Sequence, residues 1–141
     1  VKAEQVADVA PALAPLLAAH TGVVPLQNGV EASGQLAAAL GAPNVAEGFC
    51  RMLAERVAPG RVRYGGPPPS VAFAPRDGTA PAAAATLARL ADAFRAAGIV
   101  VETPDDVRAA LWEKFLFVEP LGAVGAASRA SFGALLGTPE T

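Results

Sequence analysis

The strongest constraint on the fold is a change of hydrophobic period between residues 23 and 41. Val23-Val24-Pro25-Leu26-Gln27 is short, apolar and rich in β-branched residues, as a buried strand is. After Asn28-Gly29 the period lengthens, with Ser33, Leu36, Ala37 and Leu40 on one helical face and Gly41 as a stop. Asn-Gly is also a hairpin signal, but the helical pattern that follows it favours strand, tight loop, helix. The same order recurs at Ile99-Val100-Val101-Glu102, a predicted buried strand, followed by a helix that Thr103 would cap with Pro104 at its first position. Two such units point to an α/β fold. In an open sheet of that class, Gln27, Asn28 and Gly29 stand at the carboxyl end of a strand, where ligands bind.

The remaining segments fill out the same pattern. Residues 3–19 read as a helix interrupted by Pro11 and Pro15, each of which removes an amide donor. Over 44–57 the spacing of Val45, Phe49, Met52, Leu53 and Val57 fits a helix, while Gly48 and the β-branched ends permit a strand. Residues 61–64 and 70–74 alternate or cluster as strands do, on either side of a rigid corner from Gly65 to Pro69. A helix is predicted over 80–97, capped by Thr79 or Asp77, with Leu87, Leu90, Ala91 and Phe94 inward. Pro120 should kink or end the helix that begins near 105. Gly122 and Gly125 read as sites of close helix packing, and Cys50 and Met52 as core.

In that last helix Val107, Leu111, Lys114, Val118 and Leu121 repeat at spacings of four and three, which puts a lysine in an apolar stripe. Only two of the eleven cations are lysines, so Lys114 is not part of a solubilising lysine surface. Two accounts fit the spacing. Lys114 runs its methylenes along the core and its ammonium to water, or it faces a cleft where desolvation lowers its pKa and makes it a proton donor. Glu113 reads as its solvent-facing neighbour.

Composition excludes more than it assigns. A net charge of −2 gives no reason to expect nucleic acid or an anionic membrane as partner. Hydrophobic residues at 52% against 17% charged suit a buried α/β core. Cys50 is the sole cysteine, which excludes an intramolecular disulfide, weighs against a zinc site and suggests a reducing, cytoplasmic setting. No apolar run reaches transmembrane length, and the first residues lack signal-peptide order.

Three stretches together resemble the ketopantoate reductase family, the NADPH-dependent 2-dehydropantoate 2-reductases. They are Val1-Lys2-Ala3 leading into a helix, Val24-Pro25-Leu26-Gln27-Asn28-Gly29-Val30, and Leu111-Trp112-Glu113-Lys114-Phe115. The resemblance implies the latter part of a Rossmann-type three-layer domain over 1–104, then the start of an all-helical substrate and dimerisation domain over 105–141, with a homodimer as its assembly. It implies that 44–57 is mainly strand, which we adopt over the helical period.

It also implies the site. Lys114 falls on the family's proton donor to the substrate ketone, and Asn28 on the asparagine near nicotinamide and substrate. Lys2 falls on a lysine at the cofactor side, with Gln27 and Gly29 flanking Asn28 beside NADPH; no metal is called for. A small 2-keto acid is the implied substrate. The chain has no Gly-x-Gly-x-x-Gly, so it is expected to be a piece of a longer protein. Val118 stands where many relatives have a substrate-contacting asparagine, which leaves Glu119 or a less polar substrate to account for the change. The competing reading is a non-catalytic remnant or interaction module on the same scaffold.

Overall fold

The computed structural model describes residues 1–137. Its centre is a three-stranded sheet in the order β1 (Ala46–Arg51), β4 (Ser70–Pro75), β5 (Val100–Glu102), with β1 antiparallel and β5 parallel to β4. The hairpin of β2 (Ala54–Ala58) and β3 (Arg61–Tyr64) stands apart from it, exposed along nearly its whole length. Residues 44–57 are thus mainly strand, as the resemblance implied and the helical period did not. Burial decides it: Val45, Ala46 and Phe49 are fully buried, and Phe49 pairs in register with Ala72.

Successive side chains on a strand point to opposite faces, and β4 uses both. Ala72 packs with Phe49, Val107 and Leu111 on the side of α4 (Val107–Ser128). Phe73 points the other way, its ring 5.9 Å from that of Phe94 in α3 (Pro81–Ala96). Helices therefore cover both faces in three layers, and a helical region follows the strands. A second core joins Val6 and Ala10 of α1 (Val6–Leu13), Leu36 of α2 (Ala32–Leu40) and Val45.

Several expected elements differ in extent. The strand expected at 23–27 is a single parallel bridge, Val23 to Val45. Pro25 has no amide to donate, and the carbonyl of Leu26 takes the Cys50 thiol at 3.4 Å instead of a ladder N–H. The expected helix over 3–19 is α1 with a 3-10 turn at each end, the second carrying Pro15. Val100 is 49% exposed because β5 is an edge strand, so this segment is not the buried strand expected.

Caps moved as well. Thr79 does not cap α3: its hydroxyl accepts from the Arg76 amide and donates to the Val45 carbonyl, tying two loops together. Helix α4 starts after Asp106 and not after Thr103, because the Asp106 carboxylate accepts from the amides of Arg108 and Ala109 at 2.8 and 3.0 Å. Its first turns pack in the sheet's core through Val107 and Leu111. Helix α4 also continues past Pro120, so it does not end there. Leu116 and Pro120 are both exposed, so water can take the carbonyl that proline leaves unpaired. Met52 is exposed, not core. Gly125 meets the segment that follows α4, where a Cβ would lie 3.4 Å from the Ala130 carbonyl and 3.7 Å from Leu135 of α5 (Phe132–Leu136), whereas a Cβ at Gly122 would have nothing within 4 Å.

Candidate active site

The extended segment 23–27 rides against β1 at Gly48, where a Cβ would stand 2.7 Å from Val24 Cγ1 and 3.0 Å from the Pro25 carbonyl. This close approach carries Asn28 to the sheet's end. Gly29 turns the chain back toward α2 with φ +98°, a conformation that side chains rarely adopt. From the other side, Val107 and Leu111 seat α4 on Phe49 and Ala72, and the next residue along that stripe is Lys114. The two arrivals meet. Lys114 Nζ donates to Asn28 Oδ1 at 2.7 Å, across 86 residues of sequence.

The apolar stripe therefore delivers Lys114 to a cleft and not simply to water. Its pKa is lowered, chiefly by desolvation; the Cys50 thiol opposes the shift and the Arg51 guanidinium adds to it. Lys114 Nζ lies 6.0 Å from the centre of the Phe49 ring, and the guanidinium carbon of Arg51 lies 4.7 Å from the same centre. Among the described residues no carboxylate comes within ion-pair distance of Lys114.

Two concavities share the Lys114–Asn28 pair. One is a nook of about 30 Å³ bounded by Gly29, Leu111, Phe115, Val118 and Glu119. The other is an open groove of about 610 Å³, mostly apolar, with Met52, Phe117, Leu121, Phe132 and Leu135 among its walls and Arg51 and the Tyr64 ring beside them. A small carbonyl compound at their junction would meet an ammonium donor, an amide that holds the donor, and a hydrophobic wall.

Of the residues singled out from sequence, Asn28, Gly29, Lys114, Val118 and Glu119 are brought together. Gln27 precedes Asn28 in the chain but lines neither concavity, and its Oε1 is buried without a hydrogen-bond partner. Lys2 is not brought in: it is exposed, lines neither concavity, and its amide donates to Gln5 Oε1 at 2.8 Å. Arg51 and Phe49 are site residues that sequence reasoning passed over. Strand alternation would have placed both on one face, had 44–57 been read as strand from the residues themselves. The described residues hold no cluster of three or more side chains suited to a metal ion, and no helix among them is long and apolar enough to cross a membrane.

Comparison with known proteins gives this geometry relatives. The family described as Ketopantoate reductase PanE/ApbA matches residues 1–78. A PanE/ApbA family ketopantoate reductase from Ralstonia eutropha JMP134 is 37% identical with a TM-score of 0.64, over 81% of this chain and 35% of its own. A 2-dehydropantoate 2-reductase from Geobacter metallireducens GS-15 is 26% identical with a TM-score of 0.82, over 99% of this chain and 45% of its own. D-mandelate dehydrogenase, solved with NADH and anilino(oxo)acetate, shares the fold at 23% identity and a TM-score of 0.67, over 81% and 36% of the two chains. The chain thus spans between about a third and a half of the length of these structures. No protein of curated function matches the sequence.

Proposed function

The chain belongs to the ketopantoate reductase family, and from that premise we propose that it forms part of a nicotinamide-dependent reductase that converts the ketone of a small 2-oxo acid to an alcohol, with Lys114 as proton donor. The observation that carries this reading is the 2.7 Å hydrogen bond from Lys114 Nζ to Asn28 Oδ1. It joins a helix lysine to the loop that follows the bridge segment, at a place where two concavities open. A structural salt link would have used a carboxylate. An amide oxygen orients the ammonium without neutralising it, and leaves its other two N–H bonds free to reach a substrate oxygen.

Ketone reduction needs hydride at carbon and a proton at oxygen. When bound, the dinucleotide supplies the hydride. The chain supplies the rest. As negative charge grows on the carbonyl oxygen, the Lys114 ammonium stabilises it and then transfers its proton, and the lowered pKa eases that transfer. Asn28 fixes the donor's position, and Phe49 with Leu111 and Phe115 excludes water from one side. The residues present fit the nicotinamide end of the cofactor: the Asn28 amide, whose oxygen accepts from Lys114, keeps its N–H₂ to donate to a carboxamide oxygen where the two concavities meet. The sequence carries no Gly-x-Gly-x-x-Gly, so the pyrophosphate is not assigned to these residues. NADPH is the form that the family resemblance favours, and the cytoplasm with its reducing conditions is the setting that suits the free Cys50.

Val118 and the apolar groove bear on the substrate. A side chain rich in hydroxyls would leave polar groups unpaired there, whereas a hydrocarbon side chain would not. We therefore assign an apolar side chain to the oxo acid. The competing reading, a non-catalytic interaction module, draws on the exposed Leu116, Phe117 and Val124 along α4. Turnover separates the two. In the intact protein, Lys114→Ala should lower the rate of nicotinamide oxidation by a 2-oxo acid by about a hundredfold or more. A near-native rate would remove the catalytic assignment.

A further inference from the structure

Arg51 ends β1 and shares its face with Phe49, two residues earlier. Ser70 sits opposite Arg51 in the antiparallel register, and Glu102 opposite Ala72 in the parallel one, so all three polar residues gather on the face where α4 rests. Arg51 Nη1 donates to Glu102 Oε2 at 3.0 Å, and the Ser70 hydroxyl donates to the other carboxylate oxygen. Glu102 is then engaged on both oxygens, while Arg51 is held through one nitrogen only.

A guanidinium is a rigid fork of five N–H donors. Arg51 lines the same groove as Lys114 and Asn28, and its side chain is 43% exposed. A brace between strands would need no more than the Glu102 contact. Placing a second cation over the ring that Lys114 already overlies is repulsive unless an anion comes to lie between them. In a 2-oxo acid the carboxylate is bonded directly to the ketone carbon, so any site that protonates the ketone must receive that anion close by.

We propose that Arg51 receives the substrate carboxylate while Lys114 addresses the ketone oxygen, which makes Arg51 the residue that selects oxo acids over neutral ketones. This rests on the reductase reading above. Glu102 positions the fork and limits its charge, and the planar edge matches a carboxylate with two parallel hydrogen bonds. A bound carboxylate also offsets the field of Arg51 at Lys114, so the proton donor holds its proton better once substrate arrives.

The test compares a 2-oxo acid with the corresponding 2-oxo amide, on the intact protein with reduced nicotinamide dinucleotide, for wild type, Arg51→Met and Arg51→Lys. In Arg51→Met the acid-over-amide ratio of kcat/KM should fall at least about tenfold, mainly through KM for the acid, with Arg51→Lys in between. The wild type should show its alkaline limb at higher pH in kcat than in kcat/KM for the acid, and no such separation for the amide. An unchanged ratio in Arg51→Met, or equal losses on both substrates, would overturn the assignment and leave Arg51 as a brace. A wild type that reduces neither compound would overturn the reductase reading itself.

Discussion

Gly48→Ala tests how the site is assembled more directly than any change at Lys114. Gly48 is buried in β1, and a Cβ there would meet Val24 Cγ1 at 2.7 Å, the Pro25 carbonyl oxygen at 3.0 Å and Phe73 Cβ at 3.1 Å. The valine methyl can turn away, but the other two contacts are backbone and a Cβ, which move only if the segment 23–27 lifts off β1. Inserting one methyl into a closed site costs about 1–3 kcal/mol. At about 4 °C per kcal/mol for a domain near this size, Tm should fall by roughly 4–12 °C. Lifting the segment also displaces Asn28 from Lys114, so kcat/KM should fall by more than the loss of folded protein explains. Gly34→Ala is the control, since Gly34 is exposed inside α2 with nothing within 4 Å of its Cβ position. It should stabilise by about 0.5–1 kcal/mol. Thermal unfolding and initial rates measured on both variants decide the matter. If Gly48→Ala is as stable and as active as Gly34→Ala, the packing argument that brings Asn28 to the lysine is wrong.

Other outcomes follow from the same geometry. Because the Lys114 pKa is lowered by desolvation and by Arg51, turnover should decline with rising pH along a limb that lies below the ordinary lysine value of 10.5. The unfolded chain holds that proton more tightly than the folded one, so Lys114 makes stability rise with pH between its lowered value and 10.5. Lys114→Met should abolish both the kinetic limb and that slope without lowering Tm at neutral pH; a lower Tm would mean that the lysine stabilises the fold. Asp106→Ala removes the acceptor for two amides at the start of α4 and should cost about 1 kcal/mol in chemical denaturation. A loss near zero would place the cap elsewhere.

Much of the fold is legible where one residue type forces one geometry. Gly41 ends α2 with φ 88°, Gly78 turns before α3 with φ 86° and Gly98 follows it with φ 77°, each at a boundary that the sequence predicts. The stretch 44–57 was not legible from its own residues, because Val45, Phe49, Met52 and Leu53 satisfy a helical spacing as well as a buried strand does. Only pairing with β4 removes the ambiguity, since a strand completes its hydrogen bonds through a partner distant in sequence. The same dependence misled expectation at Pro120, where the solvent exposure that makes proline tolerable is a property of the folded surface.

By itself, the sequence determined that Lys114 lies in an apolar helical stripe and that Asn28-Gly29 follows a short apolar run, because side-chain spacing and the freedom of glycine are local properties. It did not determine whether the lysine reaches water or a cleft. The tertiary structure decided that through contacts no local rule contains: Gly48 admits the segment that carries Asn28, Phe49 and Ala72 seat α4, and the ammonium meets the amide at 2.7 Å. Arg51 entered the site the same way, since its face depends on β1 being a strand and its tether, Glu102, lies on β5.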